Sequence, residues 1–439
     1  MSTLTDRIRS ITSAHAQDLI ALGEDVWAHP ERGFRELRTS GLVRDRLTEL
    51  GFDVTEGLAV TGLKAVLDTG RPGPTVAVMG EMDSVVLSSH PAADPETSAV
   101  HACGHHAQVA ALIGCATALR DSTVMGQLSG RIAFMAVPAE EFLDLEHREQ
   151  LRQDGKIAYF GGKAELIRAG AFDDIDLSLM LHLVPREASG HALSMNGFVV
   201  KRVHYTGRPA HAGVAPDDGR NALQAAHVAI AALNAQRETY ADEDAVRVNT
   251  VFGKAGDALN IIPDDVRLDT KVRARTVDAI QRHEQATDRA FCAGALALAC
   301  DVAVETMPGY MPLRNCPALA ETFEECVVAV AGDHPYEAMP HRGSSTDLGD
   351  VSQIMPTVHP YLGGACEGRL HGSDFRITDP ERAYVTSGAV LAGWTAELLR
   401  EDAACAKRIL ADCPPAMSRA EYLQFLESTA RREEYCGRR

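Results

Sequence analysis

The sequence has no apolar stretch long enough to cross a bilayer, since VAALIGCATAL and AVLAGW, its longest, fall well short of the roughly 20 residues a spanning helix needs. It also lacks a basic segment followed by an apolar one at its start, where MSTLTDRIRSITSAHAQDLIAL reads as an amphipathic helix with interspersed charges. A cytoplasmic protein without a membrane partner is expected. A basic surface is missing too. Lys and Arg number 43 against 61 Asp and Glu, and the formal net charge of −18 repels nucleic acid. The strand-to-helix glycines form neither GxGxxG nor GxxxxGK[ST], which leaves nucleotide chemistry without a motif. No Pro/Gly-rich or low-complexity segment stands out. The ten cysteines show no regular framework, and a chain of 439 residues does not need disulfides to fold, so mostly reduced thiols are expected.

What is present is globular: 45% hydrophobic and 24% charged residues over a length that favours two domains. TGLKAVLDTG and PTVAVMGEMD read as neighbouring strands, AQVAALIGCATALRDS as a helix, GRIAFMAVPAEEF as a buried strand, GKAELIRAG as a helix and LSLMLHLVP as a strand. That alternation predicts an α/β sheet covered on both faces. From about Ser194 the order becomes strand-helix-strand-strand-helix-strand, the split arrangement of a small ferredoxin-like α+β domain. Residues 194–307 are therefore expected to be inserted into a mixed-sheet domain made of 1–193 and 308–439. The last forty residues read as charged surface helices.

The densest cluster of metal-capable side chains is His101-Ala-Cys103-Gly-His105-His106, at the start of a helix. Residues two apart project to one side of an extended or looping segment, so Cys103 and His105 can share a site. Val137-Pro138-Ala139-Glu140-Glu141 closes an apolar strand with adjacent carboxylates. Their side chains diverge, so one can hold a metal while the other faces the attacking water, the division of labour a hydrolase requires. His182 follows the apolar run LSLML, where an imidazole needs a partner or a metal. His371 sits among glycines in RLHGSDF. Taken singly, each of these is as well read as a hydrogen-bonded histidine or a solvated acidic loop.

Together, GEMDS, HACGHH, PAEE, HLVP, GRPAHAG, NIIP, GSSTDLGDVS and LHGSDF occur in order, and on them the chain resembles the aminoacylase-like metallopeptidases from about Ile8 to Leu399. The resemblance is to the subfamily of hippurate hydrolase, indole-acetyl-amino-acid hydrolases and aminobenzoyl-glutamate hydrolase. It implies that Cys103, His105, Glu141, His182 and His371 hold two divalent ions, zinc or manganese with cobalt possible, and that Glu140 is the general base. It further implies that His211 stabilises the oxyanion from the inserted lid and dimerisation domain of a homodimer, that Asn260 binds substrate, and that Asp83 stands behind the ligands. The implied reaction is hydrolysis of a C–N bond in a small N-acyl or N-aroyl amino acid. The resemblance also takes in 5-nitroanthranilate aminohydrolase, which releases ammonia from an aromatic amine. A catalytically silent binding protein would have lost the base or several ligands, and all are present.

Three departures bear on substrate. The usual Gly-His-Asp becomes Gly104-His105-His106, placing an imidazole behind the ligands. The stretch LDLEHREQLRQDGKIAYFGG after the glutamates is longer than usual. Thr346-Asp347 stands where relatives often carry a glutamate.

Overall fold

Apolar runs closed by glycine or acidic residues become strands, and their ladders build the sheet that carries the site. In the computed structural model, which describes residues 2–332 and 335–437, β1 (Val54–Leu58), β2 (Gly62–Asp68), β3 (Thr75–Glu81), β4 (Arg131–Val137) and β5 (Leu177–Leu179) form one sheet in the order β1-β2-β4-β3-β5. Pairing is parallel for β3 with β4 and β5, and antiparallel for β1 with β2 and β2 with β4, so the sheet is mixed. Each residue of β3 is buried, as a strand covered on both faces requires.

Helix α1 (His105–Arg120) is buried along nearly its whole length. Its small residues allow close packing: a Cβ on Gly388 of the helix Ser387–Asp412 would come within 3.1 Å of the Gly114 Cα. The longer stretch after the paired glutamates contains a helix, α2 (Leu145–Gln153). The run LSLMLHLVP forms two short strands, β5 and His182–Leu183, instead of one.

The chain divides into two compact units, Met1–Leu193 with Arg314–His341 and Asp350–Arg419, and Ser194–Leu313 with Arg342–Gly349 and Ala420–Arg439. The second unit holds β6 (Gly197–Thr206), α3 (Ala222–Ala235), β7 (Arg247–Lys254), β8 (Asp265–Ala274), α4 (Val277–Ala297) and β9 (Asp301–Pro308). To these the end of the chain adds β10 (Arg431–Cys436), giving a sheet in the order β7-β8-β6-β9-β10.

That last strand corrects the reading of the final forty residues as helical. Arg419–Thr429 is a helix, but RREEYC pairs antiparallel with β9 from Asp301 to Thr306. It has no apolar alternation to announce it. Arg431 instead meets Glu284 at 3.1 Å and Asp288 at 3.0 Å, the same carboxylates that hold the buried Lys201 ammonium. Eight of the ten cysteines are free, in line with the expectation of mostly reduced thiols, and Cys316 and Cys413 are joined in a disulfide, with Cα atoms 6.3 Å apart. A bridge over a sequence separation of 97 leaves no local spacing signal. Among the described residues no helix is long and apolar enough to cross a membrane.

Candidate metal centre

In open α/β sheets, ligands gather beyond the carboxyl ends of the parallel strands. Here β3 ends at Glu81, with Asp83 two residues on, β4 runs into Pro138-Ala139-Glu140-Glu141, and His182 follows β5. Cys103 precedes α1 and His105 is its first residue, joined by Gly104 at φ 91°. His371 adopts φ 59°, uncommon for a residue with a side chain, and its N–H donates to the Ala102 carbonyl at 2.8 Å. This bond brings the far end of the chain beside Cys103.

Cys103 Sγ lies 3.4 Å from His182 Nε2, and His371 Nε2 lies 2.9 Å from Glu141 Oε1. His105 Nε2 is 3.2 Å from Glu81 Oε2 and 4.0 Å from Glu140 Oε2. Three donor sets result, each with its atoms within 4.8 Å of one another: Cys103, His105 and His182; Cys103, Glu141 and His371; and Glu81, His105 and Glu140. The thiol of Cys103 is common to the first two. The residues fit divalent ions, because soft sulfur, imidazole nitrogen and carboxylate oxygen converge. His105 Nε2 is also buried at this point without a hydrogen bond.

Charge in the centre is arranged around the thiol. Burial and the Glu141 carboxylate work to raise Cys103, but His105 and His182 outweigh them and bring it down to about 6. Burial opposes a charged ring on His371, yet bonds and charge from Cys103 and Glu141 hold it up at about 11. Burial likewise opposes charge on His105 and His182, and both are raised, chiefly by Cys103. The carboxylates and thiolate thus keep protons on the histidine rings, and a cation would displace those protons.

Asp83 touches two of these residues. His105 Nδ1 donates to its carbonyl at 2.8 Å and lies 3.3 Å from its carboxylate, while the Glu141 N–H donates to Oδ2 at 2.8 Å. The Nδ1 contact leaves His105 Nε2 as the ligand atom. His106 is fully buried, with its ring 4.9 Å from that of Trp27 and 5.4 Å from that of His101, and neither of its nitrogens has a hydrogen-bond partner. Burial, with the charge of His105, lowers it to about 3.

Sequence reading missed Glu81, Gln108 and Lys163. Lys163 Nζ, fully buried, donates to Glu81 Oε1 at 2.6 Å, and Gln108 Nε2 donates to Glu81 Oε2 at 2.7 Å. Burial works to raise Glu81, but Lys163 and His105 hold it well below the usual carboxylate range. A signal existed for Glu81, since a carboxylate closing an apolar strand two residues before Asp83 shares its side of the strand. Lys163, in GGKAEL, carries none.

His211 and Asn260 belong to the second unit, where an isolated bridge joins His211 to Ile261 and the Ala212 N–H donates to the Asn260 carbonyl at 2.9 Å. Both residues are exposed. His211 Nδ1 accepts the N–H groups of Gly213 at 3.1 Å and Val214 at 3.2 Å, so the neutral ring carries its proton on Nε2.

The chain is similar to an IAA-amino acid hydrolase of Arabidopsis thaliana, 25% identical over 360 residues that make up 79% of this chain and 77% of that protein. It is 30% identical to one of the subunits of p-aminobenzoyl-glutamate hydrolase from Escherichia coli (strain K12) over 312 residues, 59% of this chain and 66% of that protein. Its fold matches a Bacillus subtilis structure described as a dinuclear metal binding peptidase, with a TM-score of 0.65 at 20% identity over 88% of this chain and 99% of that one. The model of peptidase family M20/M25/M40 matches residues 77–396, a span that takes in every donor named above. The chain belongs to peptidase family M20/M25/M40 and is a metal-dependent hydrolase.

Proposed function

We propose that the protein hydrolyses the amide bond of a small N-acyl or N-aroyl amino acid at a two-metal centre held by Cys103, His105, Glu141, His182 and His371. The observation that carries this reading is the sharing of Cys103 by two donor sets, with Glu140 adjoining the carboxylate of one of them. When bound, the ions supply Lewis acidity toward the substrate carbonyl and lower the pKa of water to near neutrality. Glu140 takes the proton of the attacking water and returns it to the leaving nitrogen. The substrate class draws support from the relatives named for IAA-amino acids and p-aminobenzoyl-glutamate. The test is a screen of metal-reconstituted protein against N-acyl amino acids, aminobenzoyl-glutamate and nitroaromatic amines, reading free amino acid and ammonia separately. Amino acid release is expected. Ammonia from a nitroaromatic amine alone would replace this reading with the aromatic-amine aminohydrolase.

His211 is assigned the oxyanion, with Asn260 beside it on the substrate. The two backbone N–H groups on Nδ1 leave Nε2–H as the donor, and a donor aimed at developing negative charge contributes about 2.7–4 kcal/mol in comparable sites. His211→Ala should lower kcat by roughly 10²–10³-fold at unchanged metal content, whereas a surface histidine would give almost no effect. The second unit is assigned the roles of lid and dimer contact. β7 lies at the edge of its sheet, with Val251 70% and Phe252 38% exposed, a feature that favours pairing with a second chain. If His211 serves the partner's centre, mixing His211→Ala with Glu140→Gln chains should restore part of the activity. Verified heterodimers without recovery would restrict His211 to its own chain.

A further inference from the structure

The segment between Glu141 and the helix Gly162–Arg168 carries α2, and α2 carries a guanidinium in the protein interior. Arg148 is 1% exposed. It donates to the carbonyls of Phe160 and Glu141 and, at 3.5 Å, to that of Ala139. Its Cζ lies 5.3 Å from the ring centroid of Phe34 and 5.7 Å from that of Phe142. At its N-terminal end α2 is tied down through Asp144, which meets Arg32 at 3.2 Å and Arg35 at 3.5 Å.

Two of those three carbonyls flank Glu140. Ala139 adopts φ 55°, a left-handed conformation that residues with a Cβ rarely take, and this is the kink at which the chain leaves β4. Its N–H donates to Glu36 Oε1 at 2.8 Å. The Glu141 N–H donates to Asp83 Oδ2 at 2.8 Å. On both sides of Glu140, therefore, the amide is held by a carboxylate from another segment and the carbonyl by Arg148. The approach is close enough that a Cβ on Gly33 would meet Arg148 Nη2 at 2.7 Å and the Ala139 Cα at 2.9 Å.

We infer that Arg148 is a positioning residue for the hydrolytic pair: it fixes the turn at Ala139–Glu141 so that Glu140 and Glu141 leave the strand toward different tasks. The inference rests on the roles proposed for those glutamates and gives the longer segment after them a purpose. The planar fork reaches the Ala139 and Phe160 carbonyls from Nη1 and that of Glu141 from Nη2, a spread of fixed donors that the single compact ammonium of lysine does not reproduce. Displacing a reacting group by about 1 Å can cost on the order of 10²-fold in rate.

The experiment compares Arg148→Lys, Arg148→Ala and Glu140→Gln with the parent protein at saturating divalent metal, on the best substrate of the screen. Both Arg148 variants should lose roughly 10- to 100-fold in kcat, with KM changed less than about 3-fold. Guanidinium ion at low millimolar concentration should refill the space between Phe34 and Phe142 and recover part of the Arg148→Ala turnover. A bystander that only stabilises the fold would lower Tm, leave kcat per folded and metal-loaded molecule at the parent value, and show no rescue; that outcome overturns the inference. If the alanine variant does not fold, Arg148→Lys decides by the same criterion. Parental turnover in Glu140→Gln would instead overturn the proposed roles of the glutamates, which keeps the two failures apart.

Discussion

Replacing Cys103 by alanine should strip the protein of most of its bound divalent metal and take amide hydrolysis below detection. Loss of a residue that merely supports a ligand costs about 10–100-fold in metal affinity. Cys103 stands closer, because its sulfur is common to the set with His105 and His182 and to the set with Glu141 and His371. Its removal leaves each set with two donors. It also removes the negative charge that holds His105 and His182 in their raised state. Elemental analysis of parent and variant after dialysis against the same metal buffer is the measurement, and a full complement of metal in Cys103→Ala would refute the shared-ligand reading. Proton release during metal uptake supplies a second check. His371, held at about 11, must lose its proton to become a ligand, so binding near neutral pH should release protons and weaken as pH falls. The fall should steepen below about pH 6, where the Cys103 thiol begins to be protonated as well.

Glu140→Gln should retain both ions yet lose roughly 10²–10⁴-fold in kcat, the range for removal of a general base. The substitution keeps side-chain size and removes only the ability to take a proton. In the proposed division of roles Glu140, with Oε2 at 4.0 Å from His105 Nε2, serves proton transfer, and Glu141, with Oε1 at 2.9 Å from His371 Nε2, serves the donor set that includes Cys103. Glu141→Ala should accordingly shed metal where Glu140→Gln does not. Near-parental turnover in metal-loaded Glu140→Gln would require another base.

Much of this centre was legible because its signals are local. An apolar strand ending in two carboxylates, a Cys and His two apart before a helix, and a histidine after LSLML each announce a polar group that a buried sheet must accommodate. Lys163 was not legible, because a lysine near a helix start is ordinarily solvated and only the carboxylate of Glu81, 82 positions away in the chain, makes its burial tolerable. Arg148 was hidden for the same reason: α2 reads as a charged surface helix, and the carbonyls that receive the guanidinium are fixed by the fold.

By itself the sequence determined the kinds of donor available, the strands whose ends present them and the order in which they arrive, since side-chain chemistry and hydrophobic periodicity are properties of neighbouring residues. Tertiary structure alone decided that Cys103 belongs to two donor sets, that Glu81 and Lys163 pair beneath them, that Cys316 meets Cys413, and that RREEYC becomes a strand. Periodicity reports which face of an element is buried. It does not report which distant segment will supply the opposite charge, the second sulfur or the neighbouring strand, because those pairings are set by how the elements pack.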